Sequence, residues 1–496
     1  MPRIGHGAVS LLRARAPAPA VAWAALGAIA AVVPACWMWG FTVDDALIAV
    51  RYARHLAAGL GWRFDAHGPS TDGVTPLPWP VLLAPLARAA DALVVLGRAK
   101  AVGLMAWGAV AAALGAAAWR ADRAPAWARG AALSTLALSV PVAAYAVSGM
   151  ETALATSLAT AAVMARRPRA TALLAGLAAT LRPEMAPWAC VLAAGIVIAG
   201  GRTTPASRAR EVAAAVALAL GPFVACALVR AVVWGRPAPL AVMAKPSDLA
   251  HGVAYAGAAC VVTLTPLLVL APWALRRAPR ALAIVLAAAA QVAAVMVVGG
   301  DWMPYARLMV PVAPSLAWAA VLVAEHAHPL ATAARSAVAL AVGVVLVARG
   351  GTEGRHVGAD RAALVARARP LLGAARRVAA LDVGWVSAAT DADVVDLAGL
   401  TDPEIAALPG GHTSKRVDVM FLLSRRPDAL LLYAPAGLPG GRLEAWAGAW
   451  YPRVVEARLA RDPVLARHFA PAAWIPLGAR GAGYVLLRAR PRRQGS

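Results

Sequence analysis

Long uncharged apolar runs recur through the first 350 residues of this chain, and they limit its fold more than any other feature. A helix needs about 20 such residues to cross roughly 30 Å of hydrocarbon, and backbone that faces lipid must satisfy its own hydrogen bonds. With 61% hydrophobic and only 15% charged residues, the composition excludes an ordinary soluble domain. The sequence therefore predicts an α-helical polytopic membrane protein. About eleven spans are expected, at residues 19–41, 99–119, 130–148, 149–165, 170–182, 184–200, 211–233, 252–273, 281–299, 305–324 and 331–349.

The basic residues occur in short clusters between the apolar runs. The net charge is +23, but scattered arginines of this kind are typical of membrane topology and lipid contact rather than of nucleic-acid binding. Counting spans places residues 120–129, 166–169, 202–210 and 276–280 on one side with Arg3, Arg13 and Arg15, and the positive-inside rule makes that side cytoplasmic. We therefore expect a multi-pass protein of the inner (plasma) membrane, with a retained first span and no nucleic-acid partner.

The chain changes character near residue 350. Residues 1–349 carry the apolar runs, whereas residues 350–496 alternate short apolar and charged stretches, a pattern typical of a small α/β domain. The span count places this domain on the extracytoplasmic side. Its strands are predicted at 377–388, 393–400, 428–434 and 483–489. The segment 77–97 carries Arg88 and Asp91, and we interpret it as interfacial or re-entrant.

The first loop, residues 42–75, opens with two adjacent carboxylates, Asp44 and Asp45. A structural explanation is available, because Thr42 and Asp45 have the spacing of a capping box at the start of a helix. That helix would lie on the membrane surface with its apolar side down, and Asp44 would fall on its polar face near Arg51. Capping accounts for one carboxylate and leaves the other open to a chemical role.

Further ionisable residues recur at junctions between apolar runs on the same side of the membrane. They are Glu151, Arg182, Glu184, Lys245, Asp301 and Arg307. Each has an ordinary alternative. Glu151 could start a helix, Arg182 and Glu184 could form a local ion pair, and Lys245 could be an ordinary loop lysine. Asp301 and Arg307 could terminate helices. Charged groups beside apolar spans are costly, however, and their convergence on one membrane face indicates a site.

The order of these motifs resembles a known family. The stretch "DDALIAVRYARHLAAGLGWRFDAHGPSTDGVTPLPW" is followed by "SGMETAL", "LRPE", the loop around Lys245, "GGDWMPYARLMVPVAP" and "LDVGWVSAATDADVVDLAGLTDPEIA". Together they resemble the polyprenyl-phosphate-sugar-dependent glycosyltransferases of the GT-C fold, in particular the mycobacterial cell-wall arabinofuranosyltransferases. The resemblance extends over residues 42–435. Asp72 stands where family members have a glutamate before the tryptophan.

The resemblance implies an enzyme that moves a sugar from a polyprenyl-phosphate donor to a glycan, lipid or protein acceptor of the cell envelope. The sugar would be a pentofuranose or mannose. The family places its base in the first outer loop, which here gives Asp44 or Asp45; we favour Asp44, because Asp45 has the capping role. Displacement assisted by a single base predicts inversion at the anomeric carbon.

The remaining residues of the predicted site follow from their charge. Lys245, Arg307 and Arg182 are the candidates for the donor phosphate, where positive charge stabilises the leaving group. Substrate contacts are assigned to Glu151, Glu184, Asp301, Trp302 and Asp72. No spacing of His or Asp residues demands a metal, and a divalent metal that bridges carboxylates and phosphate stays open as an alternative. A lack of any nucleotide-binding loop motif agrees with a lipid-linked donor.

Two other functions compete with the enzyme. A transporter or flippase of the same lipid-linked sugar would also need basic groups beside a membrane groove, although transporters place polar residues near the middle of the membrane. An inactive scaffold that binds wall polysaccharide would make no demand on Asp44. The position of the charged residues at one end of the spans favours the enzyme.

Overall fold

The computed structural model describes residues 18–201, 204–479 and 481–491. Arg3, Arg13, Arg15 and Arg202, on which the topology prediction partly depends, lie outside these residues. The described part is helical up to residue 372 and then becomes mixed. Its first helices are α1 (Ala18–Trp37), α2 (Asp44–Ala57), α3 (Pro78–Leu83), α4 (Ala92–Arg120), α5 (Ala126–Ala137), α6 (Val140–Ala146), α7 (Thr152–Met164), α8 (Pro168–Leu181), α9 (Ala186–Ala199), α10 (Pro205–Trp234), α11 (Leu240–Ala244), α12 (Leu249–Thr263), α13 (Pro266–Val269), α14 (Pro279–Val297), α15 (Ala313–Ala324), α16 (Pro329–Gly350) and α17 (Val357–Leu372).

The prediction of a helical membrane protein is confirmed, while the number of full-length spans is smaller than predicted. Among the described residues, six helices are long and apolar enough to cross a membrane; they are α1, α4, α10, α14, the stretch Pro304–Ala324 that ends in α15, and α16. The other five predicted segments form shorter helices, and residues 130–148 are divided between α5 and α6. Most side chains of the short helix α7 are buried, so neighbouring helices shield it from the surroundings.

Small residues allow the apolar helices to approach closely. A β-carbon on Gly27 of α1 would lie 2.1 Å from the carbonyl oxygen of Ala111, and one on Gly115 of α4 would lie 2.0 Å from the carbonyl oxygen of Trp23. The two backbones are therefore in direct contact. Apolar helices in lipid associate through packing of this kind, because burial of apolar surface gives them no driving force there.

The segment 77–97 is not a single helix. Residues 78–83 form the short helix α3, a turn of 3₁₀-helix follows at Ala84–Leu86, and α4 begins at Ala92. Asp91 provides the N-cap of α4, because its carboxylate accepts a hydrogen bond from the backbone N–H of Leu93 at 2.8 Å. Residues 92–97 therefore belong to a long helix, and the interfacial or re-entrant placement of the segment stays a prediction.

The described residues after α16 form an α/β domain, as predicted, and α17 is its first long helix. Within the described residues its sheet has five strands, in the order β2-β1-β3-β5-β4, with β1, β2 and β3 parallel and β5 and β4 antiparallel. The strands are β1 (Arg377–Ala380), β2 (Asp393–Asp396), β3 (Ala429–Ala434), β4 (Phe469–Pro476) and β5 (Gly483–Ala489). The helices are α18 (Val383–Ala389), α19 (Pro403–Ala407), α20 (Val419–Ser424), α21 (Val454–Arg461) and α22 (Pro463–His468). The predicted strand at 377–388 is a strand only in its first four residues, since α18 follows it.

Helix α2 lies between the two parts of the protein. It contacts α3 and α4 on one side and α18 of the α/β domain on the other. Arg51 of α2 is buried and donates hydrogen bonds to the carbonyl oxygens of Phe64 at 2.6 Å, Thr390 at 3.0 Å and Ala392 at 2.7 Å. The α/β domain therefore covers the polar face of α2 at Arg51, and the placement of this helix on a membrane surface stays a prediction.

Candidate active site

The predicted site residues converge on one cavity of about 410 Å³. It lies where helices end: α8 and α14 finish beside it, and α2, α7 and α9 begin there. The basic clusters at 166–169 and 276–280 lie at the opposite ends of α7, α8 and α14. Seven predicted residues line the cavity, namely Asp45, Glu151, Arg182, Glu184, Lys245, Asp301 and Arg307. The structure thus brings together charged residues from five separate segments of the chain.

Arg182 holds one wall of the cavity in place. Its Nη1 lies 2.9 Å from Glu151 Oε1, and its Nη2 lies 2.6 Å from Glu184 Oε1. All three side chains are at most 10% exposed, and the residues belong to the junctions before α7 and between α8 and α9. The predicted local ion pair of Arg182 with Glu184 is confirmed, and Glu151 joins it. Because both carboxylates neutralise Arg182, we regard this group as a rigid wall with little free positive charge.

A strained turn positions Arg307 at the cavity. Tyr305 and Ala306 both have left-handed backbone angles, with φ of 61° and 50°. Such angles are costly for residues other than glycine and often occur at functional sites. The turn aims the guanidinium of Arg307 at Asp301, with 2.7 Å between Nε and Oδ2, and places it 4.0 Å from Asp45 Oδ2. The N–H of Nε does not point at Oδ2, so this contact is an ion pair rather than a hydrogen bond.

The charges around Asp301 keep it ionised. Burial acts to raise the pKa of Asp301, but the positive charges of Arg307, Lys245 and Arg182 outweigh burial and hold this pKa below its usual value. Asp301 also accepts a hydrogen bond from the backbone N–H of Trp302 at 2.8 Å. The carboxylate therefore balances Arg307 as a fixed anion, which leaves Asp45 as the carboxylate with more freedom.

Lys245 differs from the two arginines. In the part of the chain that the structure describes, no carboxylate lies within 4.0 Å of its ammonium group, so its charge is available to a ligand. The wall beside it is apolar and includes Val242, Val297 and Val298. These valines also face outward, with exposed fractions of 57%, 66% and 46%. A partly exposed apolar wall therefore lies in the same cavity as a lysine that no carboxylate pairs with among the described residues.

The two adjacent aspartates of the first loop face different partners. Asp45 lines the cavity with its side chain 28% exposed. Asp44 instead binds the α/β domain, where its carboxylate accepts hydrogen bonds from the backbone N–H groups of Gly384 at 2.8 Å and Trp385 at 2.9 Å and pairs with Arg361. Burial raises the pKa of Asp44 to about 6, against the opposing effect of Arg361, so the group is ionised at neutral pH.

The predicted capping box is absent from this helix start. The N-cap position of α2 is Val43, which makes no side-chain capping bond, and Thr42 donates its hydroxyl to the carbonyl oxygen of Ser148 at 3.0 Å. The structural role predicted for Asp45 is therefore wrong. Both aspartates lie in the first turn of α2, where the helix dipole favours negative charge.

Asp72 and Trp302 do not line the cavity. Asp72 is fully buried, with its Oδ2 2.7 Å from Arg230 Nε in α10, and this pair fastens the first loop to α10. The prediction of a substrate contact for Asp72 is not supported by this position, because the ion pair satisfies its charge within the fold. Trp302 is 72% exposed and stacks on His251, with 4.3 Å between ring centroids.

Two residues near the site escaped the sequence analysis. Arg230 lies inside an apolar run, and its isolated charge in α10 was the available signal. His412 lies in the loop between α19 and α20 of the α/β domain, and its ring centroid is 6.4 Å from that of Trp302. A histidine in a polar loop gives no sequence signal of its proximity to a cavity whose lining residues, apart from Leu400, lie more than 100 positions earlier.

The described residues contain no group of three or more His, Cys, Asp or Glu side chains arranged to hold a metal ion. The acidic groups of the cavity are instead interleaved with arginines, as the ion pairs of Arg182 and Arg307 show.

The α/β domain matches the sequence model of a domain family. Residues 355–486 match a domain of unknown function, DUF8728. The matched range begins just before α17 and ends within β5, so it covers the domain that supplies Gly384, Trp385 and His412. A search among curated proteins finds no significant match to the chain.

Proposed function

We propose that this protein is an inverting glycosyltransferase of the GT-C type, which transfers a sugar from a polyprenyl-phosphate donor to a cell-envelope glycan, lipid or protein. The reaction would take place on the outer face of the plasma membrane. The convergence of seven ionisable residues on one cavity at the helix ends carries this proposal. The exposed valines Val242, Val297 and Val298, which line the cavity together with Lys245, support a donor whose phosphate enters the cavity while its hydrocarbon tail stays outside.

Asp45 is the residue to which we assign the base. It faces the cavity and its side chain is partly accessible, whereas the carboxylate of Asp44 is occupied by two backbone N–H groups and Arg361. Asp45 would take the proton of the acceptor hydroxyl as the hydroxyl oxygen attacks the anomeric carbon. The bond between that carbon and the phosphate oxygen breaks, its electron pair stays on the phosphate, and the sugar inverts. The products are the new glycoside and the polyprenyl phosphate.

The three cations of the cavity, Lys245, Arg307 and Arg182, have different roles in this proposal. Lys245 lacks an ion-pair partner within 4.0 Å among the described residues, so it would stabilise the phosphate as negative charge develops on it. Arg307 already balances Asp301 and would orient Asp45 from 4.0 Å. Arg182, Glu151 and Glu184 form a fixed polar wall whose remaining oxygen atoms can accept hydrogen bonds from sugar hydroxyls.

Sugar transfer by the purified full chain tests the proposal directly. The donors are synthetic polyprenyl-phosphate arabinofuranose and polyprenyl-phosphate mannose. Asp45→Asn should lower the transfer rate by about 10²-fold or more, which is the typical contribution of a general base. The control is Asp122→Asn, since Asp122 is exposed in the connection after α4, at the other end of that helix from the cavity. Full activity of Asp45→Asn would refute the base assignment, and lipid translocation without transfer would favour a flippase.

A further inference from the structure

We propose that a groove between the first loop and the α/β domain binds the acceptor, and that this acceptor is a neutral chain of sugars. The acceptor role rests on the proposed function, whereas the groove and its chemistry do not depend on it. The groove is separate from the cavity that contains Lys245 and Arg307, and it adds a second binding site to the protein.

Two neighbouring cavities of about 1060 Å³ and 390 Å³ form the groove. They are continuous, because His67, Arg377 and Asp393 line both of them. One side of the groove is the first loop and the end of α2, and the other side consists of the segments where the parallel strands β1, β2 and β3 begin. The larger cavity alone is at the upper limit of the roughly 300–1,000 Å³ of small-molecule sites, so the groove has room for several sugar units.

The charges that line the groove nearly cancel. Six arginines and seven carboxylates line it, and most of them lie in pairs. Arg54 Nη2 is 3.6 Å from Asp391 Oδ1, and Arg425 Nη2 is 2.7 Å from Glu404 Oε2. A polyanion would meet the carboxylates and a polycation would meet the arginines, so neither is attracted strongly. The ligand that this balance favours is uncharged.

Hydrogen-bond donors and acceptors lie side by side where the two cavities meet. Arg377 donates through Nη1 to the carbonyl oxygen of Arg425 at 2.6 Å, and its Nη2 lies 3.9 Å from Asp393 Oδ2. Nδ1 of His67 lies 3.4 Å from Oδ1 of the same carboxylate. Hydroxyl groups both donate and accept, so a sugar can satisfy a carboxylate and a guanidinium at once. Because Arg377 and Asp393 are already held in place, little ordering cost opposes binding.

The groove ends beside the cavity. Thr401 lines the groove, and Leu400, the residue before it, lines the cavity. A β-carbon on Gly73 of the cavity wall would lie 2.7 Å from Thr401 Cγ2, so only this contact separates the two sites here. Helix α2 also joins them, because Asp45 lines the cavity and Arg54 lines the groove, about 14 Å further along the helix. The inner units of a sugar chain would bind in the groove, and its terminal unit would extend to the base.

Binding of linear oligosaccharides to the full chain in detergent, measured by calorimetry, tests this inference. The neutral probes are an α-linked arabinofuranose hexasaccharide and an α-linked mannose hexasaccharide, and hexagalacturonate is the anionic probe of the same length. At least one neutral probe should bind, and hexagalacturonate should bind more weakly. Arg377→Ala should weaken binding of the neutral probe about 10-fold or more, because it removes a charged hydrogen-bond donor, and His67→Ala should weaken it about fivefold.

Exposed residues keep the test independent of folding. The side chains of His67 and Asp391 are 84% and 91% exposed, so His67→Ala and Asp391→Ala carry the test if Arg377→Ala does not fold. Arg442→Ala is the matched control, because Arg442 is an exposed arginine of the same domain that lines neither cavity of the groove. This control should bind the probes like the wild type.

The outcomes separate this inference from the proposed function. No binding of either neutral probe, or tighter binding of hexagalacturonate, would overturn the neutral sugar chain as the ligand. Unchanged affinity in Arg377→Ala, His67→Ala and Asp391→Ala would overturn the groove as its site. The measurement needs neither donor nor transfer, so groove-dependent binding by a protein that transfers no sugar would overturn the proposed function alone.

Discussion

Replacement of Asp44 should undock the α/β domain rather than abolish a proton transfer. The carboxylate accepts two backbone hydrogen bonds, from Gly384 and Trp385, and pairs with Arg361. Hydrogen bonds to charged groups contribute about 1.5–3 kcal/mol each. The side chains of Asp44 and Arg361 are 19% and 18% exposed, so water replaces part of what is lost. We expect Asp44→Ala to lower the free energy of unfolding by about 2–4 kcal/mol, and Asp44→Asn, which keeps one acceptor oxygen, by about half of that.

A second variant reaches the same contact from the other side. A β-carbon on Gly384 would lie 2.1 Å from the backbone oxygen of Asp44 and 2.6 Å from its Oδ2, so Gly384→Ala must separate the two elements. It should reproduce the effect of Asp44→Ala. Asp45→Asn is the matched control, because its nearest cation is 4.0 Å away and its side chain is 28% exposed. That variant should change stability by less than about 0.5 kcal/mol.

Two measurements would detect the separation of the α/β domain from α2. The first is the thermal unfolding midpoint of the full chain in detergent, followed by tryptophan fluorescence. The second is limited proteolysis near Gly351, just before the α/β domain, which should accelerate in Asp44→Ala and Gly384→Ala and stay unchanged in Asp45→Asn. If Asp44→Ala abolished sugar transfer while its midpoint and proteolysis matched the wild type, the docking role would be refuted. Asp44 would then be the base, as the sequence predicts.

Two further predictions concern buried charges. Burial raises the pKa of Glu456 from 4.5 to about 7, so between these values the folded chain binds a proton that the unfolded chain does not. The thermal midpoint should therefore fall as pH rises from about 5 to 7, and Glu456→Gln should flatten that dependence; an equal slope in both proteins would contradict it. Asp72→Ala leaves Arg230 buried without its partner and should cost about 3–5 kcal/mol. Replacement of both Asp72 and Arg230 by leucine should lower the free energy of unfolding by less than the sum of the two single leucine replacements. A strictly additive result would exclude a coupled pair.

The sequence predicts the residues of the site better than their roles. Charged residues at the ends of apolar runs are costly wherever they lie, so Glu151, Arg182 and Lys245 could be recognised without coordinates. The roles of Asp44 and Asp45 depend instead on the docked position of α18, some 340 residues later in the chain. Helix periodicity separates the two faces of α2, but it does not reveal which face the α/β domain covers.

Strand β4 and the number of long apolar helices also differ from the predictions for local reasons. Strand β4, "FAPAAWIP", was missed because Pro471 and Pro476 lack the N–H groups that a central strand needs. It is an edge strand with a bulge between Pro471 and Ala473, where such residues are tolerated. The prediction of eleven spans stays a prediction beyond the six long apolar helices, because short buried helices such as α7 have the same apolar sequences as membrane spans.

The contacts of Arg51 also fix an order of events during synthesis. Its guanidinium depends on the carbonyl oxygens of Thr390 and Ala392, which lie 339 and 341 positions further along the chain. At about 5–20 residues per second, a ribosome takes roughly 20–70 s to cover that distance. Throughout this interval Arg51 has its partner Phe64 but lacks Thr390 and Ala392, and the cavity lacks the wall that Leu400 contributes. A nascent chain therefore completes its site only after most of its residues have been synthesised.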